Sequence, residues 1–234
     1  MRPEDHHAAE EAGFSLIELL IGMTITLVVL SVASTLIARS FGVRMREDTR
    51  SEAIADTRHA LNIMTREIAN AGYSLPSGLG LSSNGIVAAS SNAQAIRIVT
   101  NTNRDGAINA TSEDVIYQLY NDTTVTPNQR YIVRYDINAA TNQSTVLANR
   151  VDNLTIRYYD QRVNYTTAAG TCDINVTTAG VTESVNRSLS KYLVISVCVT
   201  LPQIGTPNSP GYRPPSQVQL TSDVNLRNSN LILY

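Results

Sequence analysis

One carboxylate stands alone in the most apolar part of the chain. Glu18 is the single ionisable group between Phe14 and Ala38, 25 residues that read FSLIELLIGMTITLVVLSVASTLIA. A bilayer core about 30 Å thick is crossed by roughly 20 apolar residues in helix. A carboxylate in such a span costs about 2.5–3.5 kcal/mol at its centre and less toward its ends. An acid held at that cost calls for a cationic partner. The chain's two cysteines, Cys172 and Cys198, are too far apart for a metal or redox motif. In an oxidising compartment they read as one disulfide, and otherwise as two buried free thiols. Asn101, Asn103 and Asp105, with Gly106 next and Glu113 further on, resemble the opening of a calcium loop, in which oxygen ligands alternate and a glycine follows the third. The twelfth position, however, is Ser112. The plain alternative is a polar turn built on Asp105-Gly106 between two strands.

Catalysis has little to build on. Of the three histidines, His6 and His7 precede the apolar run and His59 lies in a helical stretch. There is no glycine-rich phosphate loop, no nucleophile elbow and no clustered ligand spacing. The inventory fits an assembly or binding protein rather than an enzyme, with no cofactor beyond the candidate calcium. Eighteen Lys+Arg against 20 Asp+Glu give a formal net charge of −2. A protein that coats nucleic acid shows a basic stripe instead, so no nucleic acid is expected. The charged fraction of 16% falls below the roughly 25% of ordinary soluble domains, and Asn, Thr and Ser fill the gap.

Two kinds of element must position these residues. The apolar run is longer than the ~7–15 residues of a secretory h-region, and a buried core helix is rarely apolar all round for seven turns. An ordinary signal anchor stays open on composition alone. Residues 39–71 contain no proline, and Ile54, Leu61 and Ile68 recur every seven residues with Met64 on the same face. This predicts an amphipathic continuation of the same helix. Unbroken from Phe14 to Ala71, it would run about 87 Å at 1.5 Å per residue, ending at Ala71-Gly72-Tyr73 with Gly72 at a C-cap position.

Beyond it the period changes to two. Gln94–Thr100, Asp114–Asn121, Arg130–Ile137, Asn153–Asp160, Lys191–Leu201 and Gln217–Leu226 read as strands. Ser77–Asn92, Tyr165–Ser190 and Pro202–Pro215 read as loops, the second long enough for a functional excursion. The expected fold class is α+β: a long N-terminal spine helix, transmembrane and then amphipathic, packed on an antiparallel sheet.

Gly13-Phe14-Ser15-Leu16-Ile17-Glu18, followed directly by the apolar run, resembles the class III signal of type IV prepilins and type II secretion pseudopilins. The resemblance implies that a prepilin peptidase cuts between Gly13 and Phe14 and methylates the new Phe14 amine. It implies a leader of residues 1–13, a membrane or filament-core helix over 14–38, an amphipathic continuation over 39–72 and a β-rich head over 73–234. Glu18, one helical turn from that amine, would pair with the terminal amine of a neighbouring subunit, each charge compensating the other at low dielectric.

Arg58-His59-Ala60-Leu61, Met64–Ile68 and Ala71-Gly72-Tyr73 also resemble the helix of PilW-type minor pilins, and Val151–Tyr158 and Val224–Asn228 are similar to that group and to the related J-type pseudopilins. The expected function is a minor pilin that helps to prime a type IV pilus near its tip. A type II secretion pseudopilin and a tip adhesin or DNA-uptake subunit are the alternatives. The implied partners are other pilins, prepilin peptidase, the inner-membrane assembly machinery and membrane lipid before assembly. The implied location is a bacterial inner membrane, single-pass with an exported head, and then a surface filament. In two respects the chain departs from this pattern. Its leader holds Arg2 against Glu4, Asp5, Glu10 and Glu11, while Arg39, Arg44, Arg46 and Arg50 follow the span, a bias that by itself favours the opposite orientation. No proline interrupts the helix before Pro76.

Overall fold

The computed structural model describes residues 15–125, 128–168, 170–209 and 211–229. Helix α1 runs unbroken over Leu16–Ala69, 54 residues, or about 81 Å. Without a proline nothing removes an internal hydrogen bond, and no kink is required. Thr24, Thr26, Ser34 and Thr35 each donate their hydroxyl to a carbonyl three or four residues back. These four hydroxyls are therefore not left to face hydrocarbon without a partner. The helix ends two residues before the predicted point, with Asn70 at the C-cap and Gly72 at φ +80.

Among the described residues, the head has nine strands in three antiparallel groups. β1 (Ala95–Val99), β2 (Asp114–Asp122), β3 (Gln129–Asp136) and β4 (Ser144–Ala148) form a meander in sequence order. β5 (Asn153–Tyr159), β8 (Tyr192–Leu201) and β9 (Ser216–Asn225) form a second sheet in the order β5-β8-β9. β6 (Tyr165–Ala168) and β7 (Asp173–Val176) make a small ribbon. The six strands expected from alternation are present within a residue or two of their predicted bounds. Where a single sheet and a long loop were expected, the structure has two sheets, a fourth meander strand and the β6–β7 ribbon.

The helix lies against β4, β8 and β9, drawn from both sheets. Ala60, Leu61, Met64 and Ile68 are its buried apolar side chains there, and they join one core with Tyr117, Ile132, Leu154, Ile156, Leu193, Ile195 and Val197. Of the predicted stripe, Leu61, Met64 and Ile68 are buried, while Ile54, nearer the lower rim, is only half-buried. β8 is buried on both faces. Leu193, Ile195 and Val197 enter the main core, whereas Tyr192 and Val194 join Tyr159, Val163 and Ile174 beneath the ribbon.

The end of the helix is fastened by backbone. Arg227 N donates to Ala69 O at 3.1 Å, and Asn228 Nδ2 donates to Asn70 O and Ala71 O at 3.2 and 3.0 Å. The closing Leu226-Arg227-Asn228 segment thus satisfies carbonyls that the helix terminus leaves without partners. Gly72 N donates to Val99 O at 2.9 Å in a crossing where Gly72 and Gly85 nearly touch. A Cβ on Gly85 would sit 2.0 Å from Gly72 N, so both backbones need glycine here.

Candidate assembly site

Glu18 occupies the first turn of α1, after the N-cap residue Ser15. A carboxylate there sits favourably at the positive end of the helix dipole. From Leu16 to Phe41 every residue is exposed except half-buried Ala33. Of these, residues 16–37 project about 33 Å beyond the head. The helix is long and apolar enough to cross a membrane, and none of its most apolar window is buried. Glu18, Leu19, Gly22, Met23, Thr26 and Leu27 line a shallow concavity along one face. Its floor is Gly22, where an added Cβ would meet nothing within 4 Å. Exposed apolar surface of this extent is not left in water. Lipid or other helices must cover it, and an ionised Glu18 among them needs a cation. Gly13 and Phe14, the expected cleavage and methylation positions, lie outside the described residues.

The other predicted residues fall in the head. Cys172 and Cys198 are joined as a disulfide, which staples the β6–β7 turn to β8. The same ribbon is held by Arg157, which contacts both oxygens of Asp173 and donates to Glu183 at 2.7 Å. The hydrogen bond to Asp173 raises Arg157's pKa above its ordinary value and lowers that of the Asp173 carboxyl. On the helix side, Glu67 accepts from Tyr117 Oη at 2.5 Å and from Arg134 Nε at 3.0 Å, linking α1 to β2 and β3. Burial, together with the adjacent Glu67 charge, pushes the Tyr117 hydroxyl well above its ordinary range, so it stays a donor.

The candidate calcium residues form one loop, and backbone N–H groups line it. Glu113, fully buried, accepts at Oε1 from the backbone of Thr102 (2.8 Å) and Asn103 (3.3 Å). Its Oε2 accepts from the backbone of Asn109 (3.2 Å) and Ala110 (3.0 Å). Burial raises this carboxyl's pKa, yet the hydrogen bonds outweigh it and hold the group below its ordinary value. Asn103 Oδ1 accepts from Asp105 N at 3.1 Å, and Asp105 Oδ1 accepts from Ala107 N at 2.8 Å. Only Asn101 Oδ1, among these oxygens, is buried without a partner. The loop is lined by N–H donors converging on its own carboxylate, which is the geometry of an anion-binding turn filled from within. In this arrangement both Glu113 oxygens are engaged by those N–H groups. Among the described residues, no three His, Cys, Asp or Glu side chains group to hold a metal ion.

Nothing in the residue types of 101–113 announced Glu113 as the organiser. Its partners are main-chain amides spread over nine positions, and no side-chain pattern records them. The Glu67–Tyr117–Arg134 cluster was equally hidden, since its members come from three separate elements.

Residues 9–34 match the prokaryotic N-terminal methylation motif. No curated protein and no solved structure matches the chain. The chain thus carries a class III prepilin signal on an α+β, pilin-like architecture: an exposed apolar helix continuing into a head of antiparallel sheets. A signal of this kind supports a type IV pilin or pseudopilin, processed by prepilin peptidase, anchored by its apolar helix and assembled with other pilins.

Proposed function

We propose that the protein is a minor pilin of a type IV pilus, a non-enzymatic subunit that helps to prime filament assembly near the tip. The observation that carries the reading is the methylation motif running directly into a proline-free helix whose bare apolar span, residues 14–38, holds Glu18 as its one charge. Cleavage after Gly13 would leave Phe14 with an ammonium group one turn before Glu18. In a bundle of such helices, each Glu18 carboxylate pairs with the amine of a neighbour. The pair sets axial register, because any other stagger leaves two charges unpaired in a low-dielectric core. The head, locked onto the upper helix by Glu67, Arg227 and Asn228, presents its loops to other minor subunits. The similarity of residues 58–61, 64–68, 71–73, 151–158 and 224–228 to PilW-type sequences supports the minor-pilin assignment over a major one.

The deciding experiment is intact mass and N-terminal sequencing of the protein from cells with and without prepilin peptidase. Loss of residues 1–13 with gain of one methyl group is expected only when the enzyme is present. An uncut chain in both cells refutes the reading. Recovery of the processed protein in sheared surface pili separates a pilus subunit from a secretion pseudopilin, which would stay with the cell envelope.

A further inference from the structure

The loop between β8 and β9 reaches far down the helix. Gly42 is the one buried residue of α1 below Thr57, and what covers it is Gly211. A Cβ on Gly42 would lie 3.0 Å from Gly211 O, and a Cβ on Gly211 would lie 3.2 Å from Ala38 O and 3.4 Å from Arg39 Cα. Arg46 fastens the returning strand, donating to Pro214 O at 2.8 Å and Ser216 Oγ at 2.6 Å. The loop is itself braced by paired Ile204–Arg213 backbone bonds of 3.0 and 2.9 Å, and by a turn from Ser209 N to Thr206 O. It is a folded strap, seated on the helix at residues 38–46.

That height is where a bilayer would end. Arg39 is the first charged residue after Glu18. The rise of 21 residue steps from Glu18 to Arg39 is about 32 Å of helix, against a hydrocarbon core of about 30 Å. With Glu18 at one boundary, Ala38 and Arg39 lie at the other, and the strap that touches them lies in the headgroup layer. Its chemistry suits that layer. Helix residues 38–46 and strap residues 202–215 together hold Arg39, Arg44, Arg46 and Arg213 and no carboxylate, on a chain of net charge −2. Arg39, Arg44 and Arg213 are exposed, and so are the apolar side chains of Phe41 and Met45, at 61% and 62%. Arginine interleaved with exposed aromatic and apolar side chains is an interfacial pattern.

We propose that the β8–β9 strap and the helix turns beneath it form a collar that binds the anionic phospholipid headgroups of the leaflet facing the head. Before assembly, this contact fixes the height and rotation of the head on the membrane. The proposal rests on the membrane-anchored reading above, and its test keeps the two apart.

The full chain is reconstituted into vesicles of phosphatidylcholine alone or mixed with phosphatidylglycerol. A polarity-sensitive label is placed at Thr206→Cys, at Leu27→Cys within the span, or at Ser77→Cys beyond the far end of the helix. Quenching by aqueous iodide and by headgroup-spin-labelled lipid is then read. The Thr206 label is expected to be shielded from iodide and quenched by lipid in the anionic vesicles, while the Ser77 label stays aqueous. Arg39→Gln and Arg213→Gln should each shift the docked-to-undocked ratio about five-fold, Arg→Lys at both sites should restore docking, and high salt should weaken it. A Thr206 label as open to iodide as Ser77, with Leu27 in lipid, overturns the collar and leaves the anchored reading intact. A Leu27 label open to iodide overturns both. Shielding at Thr206 that follows protein density rather than lipid charge means a second copy covers the strap, and also overturns the proposal.

Discussion

Replacing Glu113 by glutamine keeps the size and shape of the side chain and removes only its charge and half of its acceptor capacity. Four backbone N–H groups converge on the two carboxylate oxygens, at 2.8 and 3.3 Å on one and 3.2 and 3.0 Å on the other. A glutamine can satisfy one of these pairs with its carbonyl, but its NH₂ group then faces the other pair, donor against donor. Two charge-assisted bonds are lost, each worth about 1.5–3 kcal/mol, and part is regained if the loop opens and water reaches the amides. A net loss of about 2–4 kcal/mol follows. Denaturant unfolding of the detergent-solubilised full chain measures the total. Amide hydrogen exchange at Thr102, Asn103, Asn109 and Ala110 locates it.

The pH dependence gives an independent check. The folded Glu113 carboxyl titrates below its ordinary value, so the stability it contributes is complete above about pH 4.5 and is lost as pH falls through the folded value. The glutamine variant should therefore lose less stability than wild type over that acid range. A change under about 0.5 kcal/mol with unaltered exchange at the four amides would refute the view that this carboxylate organises the loop.

Three further outcomes follow from the geometry. Cys172→Ala/Cys198→Ala opens a closure of 26 residues and should cost about 3.5 kcal/mol in the chain-entropy model, with exchange rising first in β6–β7. Arg157 still holds that ribbon, so the Arg157→Gln triple variant should lose it altogether, and a reduced protein of unchanged stability would contradict the staple. Gly85→Ala places a methyl group 2.0 Å from Gly72 N and 2.6 Å from Val99 O at φ +70. Left-handed strain of about 1–2 kcal/mol and the broken Gly72–Val99 bond should together lower stability by at least 3 kcal/mol or so, measured by thermal unfolding. Glu18→Ala should leave insertion and peptidase cleavage intact while abolishing recovery of the subunit in filaments, and wild-type stoichiometry in sheared pili would disprove its role in register.

What the sequence showed was what repeats locally. The strand at 192–201 was legible because β8 is buried on both faces, so nearly every position is apolar or small and the run is continuous. The ribbon was not, since Tyr165-Thr166-Thr167-Ala168 and Asp173-Ile174-Asn175-Val176 bury only Ile174. Their extended form is imposed from outside by the disulfide and Arg157. β4 escaped notice for a related reason: Val146 is 51% exposed while Ala148 is buried, an inversion of the pattern that marks a half-buried strand.

The assembly site divides along the same line. Glu18 was legible because a charge inside an apolar run is anomalous whatever the fold. The strap was not, because its seat is two glycines remote in sequence, and a missing side chain leaves no pattern to read. This difference bears on the four arginines after the span. Counted alone, they argue for an inverted topology. That rule weighs residues by distance along the chain and takes no account of what the fold brings to the same height. With Gly211 seated against Ala38 and Arg39, three of them, Arg39, Arg44 and Arg46, belong with Arg213 to the proposed collar. On that proposal their excess on the head's side is what binding to anionic headgroups requires, and it does not weigh against the orientation that the prepilin resemblance implies.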